Sequence, residues 1–131
     1  MTAAVNEARL VVSNDALVSS VLGRVVGMLA ARALCPVDRL DDMLLITDAI
    51  AAHAGQFTAN GTVGVTVTTD DSGMTMTVSP LAEDGARGLL SATELPGVGN
   101  VLERVADSVT PGQAADGSGE ELRVHLAFQA E

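Results

Sequence analysis

A chain of 131 residues has room for a single hydrophobic core, so residues 1–131 are expected to form one domain. With 47% apolar residues beside a formal net charge of −10, it is too hydrophobic for disorder, and 7 basic against 17 acidic residues leave no basic cluster for a phosphate backbone, which excludes direct nucleic-acid binding. Phe57 and Phe128 are its only aromatic residues, so base stacking is excluded and the core falls to Val, Leu, Ile, Ala and Met.

An acidic surface serves either solubility or fast encounter with a basic protein partner. The lone Cys35 cannot form an internal disulfide, and no zinc spacing surrounds it. Met1 to Arg9 contains Glu7 and no apolar run, and Arg24 and Arg32 interrupt the next apolar stretch. Neither a signal peptide nor a membrane span is expected, and the protein reads as cytoplasmic.

Arg9 to Val12 reads as a short strand, followed by the capping residues Ser13-Asn14-Asp15. Leu17, Val21, Val25, Met28 and Leu29 recur at helical spacing, which predicts an amphipathic helix over 15–34. Pro36 suits the first turn of a second helix over 37–54, where Asp38, Asp41 and Asp42 favour the positive end and Gly55 stops it. Val63, Val65 and Val67 then alternate with Gly64, Thr66 and Thr68. Met74, Met76 and Val78 alternate with Thr75, Thr77 and Ser79, and Asp70-Asp71-Ser72-Gly73 makes the turn of a hairpin.

The stretch Leu81 to Leu95 is polar and interrupted by glycine. A third helix is expected on Val98, Val101, Leu102, Val105 and Val109, then a small-residue loop over 110–119, and finally a closing strand through Leu122, Val124, Leu126 and Phe128. One aliphatic sheet face needs cover on one side only, which predicts a two-layer α/β sandwich. His53 and His125 are the only histidines, and no Ser/His/Asp constellation can be built on them.

Three segments carry a resemblance. Leu44-Leu45-Ile46-Thr47-Asp48-Ala49-Ile50-Ala51-Ala52-His53-Ala54 lies on the second helix, Val78-Ser79-Pro80-Leu81-Ala82-Glu83-Asp84-Gly85 follows the hairpin, and Leu95-Pro96-Gly97-Val98-Gly99-Asn100-Val101-Leu102 opens the third helix. With the order of elements, they make residues 9–128 similar to the histidine-kinase-like ATPases of the GHKL (Bergerat) superfamily, specifically the small bacterial anti-sigma factor kinases of the RsbW and SpoIIAB type. The resemblance implies an α/β (α+β) sandwich whose mixed, mainly antiparallel sheet is covered on one face by three helices.

In that family the second helix carries a Glu that acts as general base and, four residues later, an Asn that holds Mg²⁺. Here those positions are Asp48 and Ala52, which a helix of 3.6 residues per turn puts on one face. A methyl group offers the metal nothing, so magnesium is not expected and phosphoryl transfer should be severely weakened. The family's adenine-reading Asp-x-Gly-x-Gly corresponds to a stretch with Pro80 and Ala82 in place of the Asp and first Gly, leaving Asp84 and Gly85. Its Gly-x-Gly phosphate cradle falls on Gly97 and Gly99, which equally read as a flexible start to the third helix. Asp48 likewise reads equally as a solvated helical aspartate.

The leading expectation is an anti-sigma factor or partner-switching regulator that binds a sigma factor, a STAS-domain anti-anti-sigma protein, or both. ATP or ADP binding is then weak or lost. The resemblance also implies a homodimer, for which the threonine face of the sheet is one surface. A second reading is an active Ser/Thr protein kinase with Asp48 as base. A third is an unrelated small α/β module that binds a ligand or dimerises.

Overall fold

The computed structural model describes residues 6–13, 17–33, 35–114 and 116–128; the expected cap Asn14-Asp15 and the expected helix positions 16 and 34 lie outside them. In chain order the elements are β1 (Asn6–Ser13), α1 (Leu17–Arg32), α2 (Val37–His53), a single 3₁₀ turn (Ala54–Gln56), β2 (Thr62–Thr69), β3 (Gly73–Leu81), α3 (Gly85–Ala92), β4 (Glu94–Leu95), β5 (Gly99–Asn100), α4 (Val101–Val105), β6 (Ser108–Gln113) and β7 (Glu120–Ala127). The class is α+β. A five-stranded sheet runs in the order β1-β2-β3-β7-β6, and β4 with β5 forms a separate two-stranded hairpin.

β2, β3 and β7 form where alternation predicted them. Val63, Val65 and Val67 of β2, Met74, Met76 and Val78 of β3, and Leu122, Val124 and Leu126 of β7 are all buried. They pack with Leu22, Val26, Met43, Ile46 and Ile50 of the first two helices in one core. Each such side chain withdrawn from water contributes about 1.5–3 kcal/mol. Thr66, Thr68, Thr75, Thr77 and Ser79 point to the opposite face, half-buried. Two unbroken rows cross that face: Glu7, Thr68, Thr75 and His125, and beside it Arg9, Thr66, Thr77 and Arg123. The Thr75 hydroxyl lies 3.0 Å from His125 Nδ1.

Several expectations are corrected. The five-stranded sheet is wholly antiparallel rather than mixed, because each of its four neighbouring pairs is antiparallel. Four helices, not three, are present among the described residues. The extra one, α3, lies in the stretch set aside as glycine-interrupted. Ala86 and Leu89 bury its inner face, and Gly88 lies under the Phe57 ring, where a β-carbon would sit 2.5 Å from Phe57 Cε1. Its glycine is a packing requirement, not a break.

The third helix of the sequence reading shrinks to the five residues of α4, and its last position, Val109, belongs to β6, paired with Val124. Apolar spacing at 98, 101, 102, 105 and 109 fits a helix, but pairing with β7 decides the end of the run. The first four positions of the expected loop 110–119 are likewise strand, up to Gln113. Pro111 is tolerated there because β6 is an edge, with no outer partner for the missing N–H. On α1 the buried stripe is Val18, Leu22, Val26, Leu29 and Ala30, and Met28, read into the apolar face, is 58% exposed. The adjacent valines 25 and 26 made the phase of that helix ambiguous by one residue.

Candidate functional site

α2 begins at Val37 as expected and ends at His53, one residue before the expected end at 54. Pro36 occupies the N-cap, Asp38 lies in the first turn, and the chain leaves through the 3₁₀ turn after His53. Met43, Ile46, Thr47 and Ile50 are buried, and the Thr47 hydroxyl donates to the Met43 carbonyl at 2.7 Å, so the only polar group on the inner face is satisfied within the helix. Asp48 and Ala52 share the outer face, both exposed. The Asp48 side chain makes no hydrogen bond or ion pair among the described residues, and Ala52 offers a methyl group. His53 is half-buried.

At the start of α2 the Cys35 thiol lies 3.5 Å from Met43 Sδ and 3.4 Å from the Pro36 carbonyl, as donor to both. Burial pushes its pKa up, partly offset by the Arg39 guanidinium. That keeps it a thiol and a packing group.

Asp84 and Gly85 begin α3. Asp84 adopts the left-handed conformation at the N-cap, φ 61° and ψ 8°, and its own side chain makes no capping bond. The cap comes from Glu120 at the start of β7: its carboxylate accepts the Asp84 N–H at 2.8 Å and the Ala86 N–H at 3.2 Å. A negative group is favourable at the positive end of a helix. Gly85 is buried between these bonds, and a β-carbon there would lie 2.9 Å from the Phe57 carbonyl oxygen. Asp84, Arg87, Pro111, Gly112, Gln113 and Glu120 line a small cleft of about 230 Å³.

Gly97 lies in the turn between β4 and β5, and Gly99 opens β5 opposite Leu95, rather than either starting a helix. Both have positive φ, 76° and 95°, and the Val98 N–H donates to the Leu95 carbonyl at 3.1 Å to close the turn. The helix start falls to Asn100. Its Oδ1 accepts the Glu103 N–H at 3.1 Å, and its Nδ2 donates to the Leu90 carbonyl at 2.6 Å, tying the hairpin to the end of α3. The Thr93 hydroxyl donates to the same carbonyl at 2.7 Å. Ser91, Glu94 and the 95–99 turn line a broad cleft of about 630 Å³.

The fold therefore brings the three segments into neighbouring elements, since α2 packs against both α3 and α4. It does not merge their residues into one cavity: Asp84 and the Gly97–Gly99 turn line separate clefts, and Asp48 and Ala52 line neither. Pro80 is half-buried near the end of β3, and the Ala82 N–H donates to the Phe57 carbonyl at 2.7 Å. Glu120 and Asn100, the two side chains that organise these helix starts, were not singled out in the sequence. Asn100 carried a local signal, an Asn three residues before Glu103. Glu120 carried none, because its partners lie 36 and 34 positions away.

Among the described residues no three His, Cys, Asp or Glu side chains gather into a metal-binding cluster. No described helix is long and apolar enough to cross a membrane. No protein-family model and no curated protein matches the chain.

Proposed function

We propose that this chain is a regulator of the anti-sigma or partner-switching kind, which works by binding a sigma factor, a STAS-domain antagonist, or both, and carries out little or no phosphoryl transfer. The observation that carries this reading is the state of the two helix starts beside the residues that the resemblance assigns to nucleotide. Backbone N–H groups at both are already taken by the chain's own side chains, Glu120 at α3 and Asn100 at α4. An incoming phosphate would have to displace them.

The residues of α2 do not fit a magnesium-bound triphosphate either. Ala52 has no oxygen for the metal, and Asp48 stands on an open helix face without the neighbours that would position an attacking hydroxyl. On this reading no chemical step passes through a nucleotide. What remains is an acidic protein with a net charge of −10 and an α+β scaffold suited to presenting surfaces.

The test is calorimetric titration with ATP and ADP, with and without Mg²⁺, alongside binding to the sigma factors and STAS-domain proteins encoded in the same genome. Partner binding that is indifferent to nucleotide is expected. Micromolar, magnesium-dependent ATP binding with transfer of the γ-phosphate to a STAS-domain serine would replace this reading with the active kinase. Failure to bind any sigma factor or STAS protein would overturn both.

A further inference from the structure

The outer face of α2 is built unlike a solvated helix face. Val37, Asp38, Asp41, Leu45, Asp48 and Ala52 are all exposed, and at 100° per residue they fall within an arc about 100° wide that runs about 22 Å along the axis. Three are apolar, and two of these are strongly exposed: Val37 at 77% and Leu45 at 47%. The other three are aspartates: Asp38 and Asp41 suit the positive end of the helix, whereas Asp48, in its C-terminal half, gains nothing from the helix dipole. The arc contains no cation. Arg39, the only arginine of α2, lies outside it and is drawn to Asp42 at 3.1 Å. The carboxylates of Asp38, Asp41 and Asp48 have no ion-pair or hydrogen-bonding partner among the described residues.

We infer that this face docks a basic amphipathic helix of a partner protein, with an apolar side chain of that helix against Leu45 and its Lys or Arg side chains against Asp41 and Asp48. Residues 38, 41, 45, 48 and 52 follow the three-and-four spacing along which two helices pack at a shallow crossing angle. Charge selects the class of occupant. A carboxylate-rimmed apolar stripe on a chain of net charge −10 repels nucleic acid and anionic lipid, and attracts a cationic helix. The inference rests on the protein-binding reading above and adds the surface and the chemistry of what it binds.

The probe is a fluorescein-labelled, helix-stapled 18-residue peptide with a leucine face flanked by arginines, titrated by anisotropy. A second peptide carries glutamate in place of each arginine. The arginine peptide is expected to bind the wild type, and to bind Leu45→Ser and the double variant Asp41→Arg/Asp48→Arg at least tenfold more weakly. It should bind Asp71→Arg/Glu83→Arg, which makes the same change in net charge elsewhere, as it binds the wild type. The glutamate peptide should bind Asp41→Arg/Asp48→Arg but not the wild type, a gain that also shows the variant is folded. No binding to the wild type would overturn the inference, as would equal losses in the two arginine double variants or a loss in neither. Neither peptide involves a sigma factor or a STAS protein, so failure of this docking face and failure of the regulatory reading are separate results.

Discussion

Glu120 and Ala86 stand 34 positions apart in the chain, yet the carboxylate of one accepts the backbone N–H of the other at 3.2 Å, while its second oxygen accepts the Asp84 N–H at 2.8 Å. A strand thereby caps a helix that has no capping side chain of its own. Glu120→Gln keeps one good acceptor and loses the charge, so it should cost about 1 kcal/mol; Glu120→Ala, which leaves both donors bare, should cost about 2 kcal/mol. Urea midpoints at unchanged m-value measure both.

Asn100 bonds in two directions, accepting from Glu103 and donating to Leu90. Asn100→Ala should lose about 1–2 kcal/mol by removing both. Asn100→Asp should fall between the wild type and Ala, because it keeps the cap but turns a carboxylate toward the Leu90 carbonyl. Thermal denaturation of the three proteins orders them.

The Thr69 hydroxyl is fully buried on the core face of β2 and has no hydrogen-bonding partner among the described residues. Thr69→Val keeps the shape and removes the stranded group, so stability should rise by about 1 kcal/mol and Tm by about 3–5 °C. Thr69→Ser, which keeps the hydroxyl and deletes a buried methyl, should lower both. A fall in Tm for Thr69→Val would show that the hydroxyl is satisfied.

Asp70 holds the β2–β3 turn by accepting from the Ser72 hydroxyl at 2.6 Å, the Ser72 N–H at 2.8 Å and the Gly73 N–H at 3.1 Å. These bonds, the Ser72 hydroxyl first, hold its carboxyl below the usual aspartate value. A depressed folded pKa contributes stability above the unfolded value, near 4, and that contribution disappears as pH falls through the folded value. Solvent exposure limits it to no more than about 1 kcal/mol. Asp70→Asn should therefore be slightly less stable than the wild type at pH 7, with a gap that closes below about pH 4; pH-dependent urea denaturation reads the difference.

The parts of the fold set by short-range pattern were legible in the sequence. Alternation exposed the aliphatic faces of β2, β3 and β7, and α2 begins after Pro36 and ends before Gly55 as its sequence signals indicate. What stayed hidden was decided by distant parts of the chain. The helix containing Gly85 and Gly88 depends on Phe57 lying against both glycines. Val109 joins a strand because Val124 is there to pair with it. Of the candidate site, the side-by-side placement of Asp48 and Ala52 followed from helical spacing alone. The positions of Gly97 and Gly99 in a hairpin did not, because a Gly-x-Gly run reads the same in a turn as at a helix start.

Chain order and spatial order part company in the sheet. β7, the last strand described, lies inside it, between β3 and β6. During synthesis, β1, β2 and β3 emerge well before it and can pair with one another, but one edge of β3 then lies open beside Met74, Met76 and Val78 until β7 arrives. A ribosome stalled before Glu120 therefore holds a half-built sheet with a sticky, methionine-lined margin, and a protein cut short there would be more prone to aggregate than one clipped at its first strand.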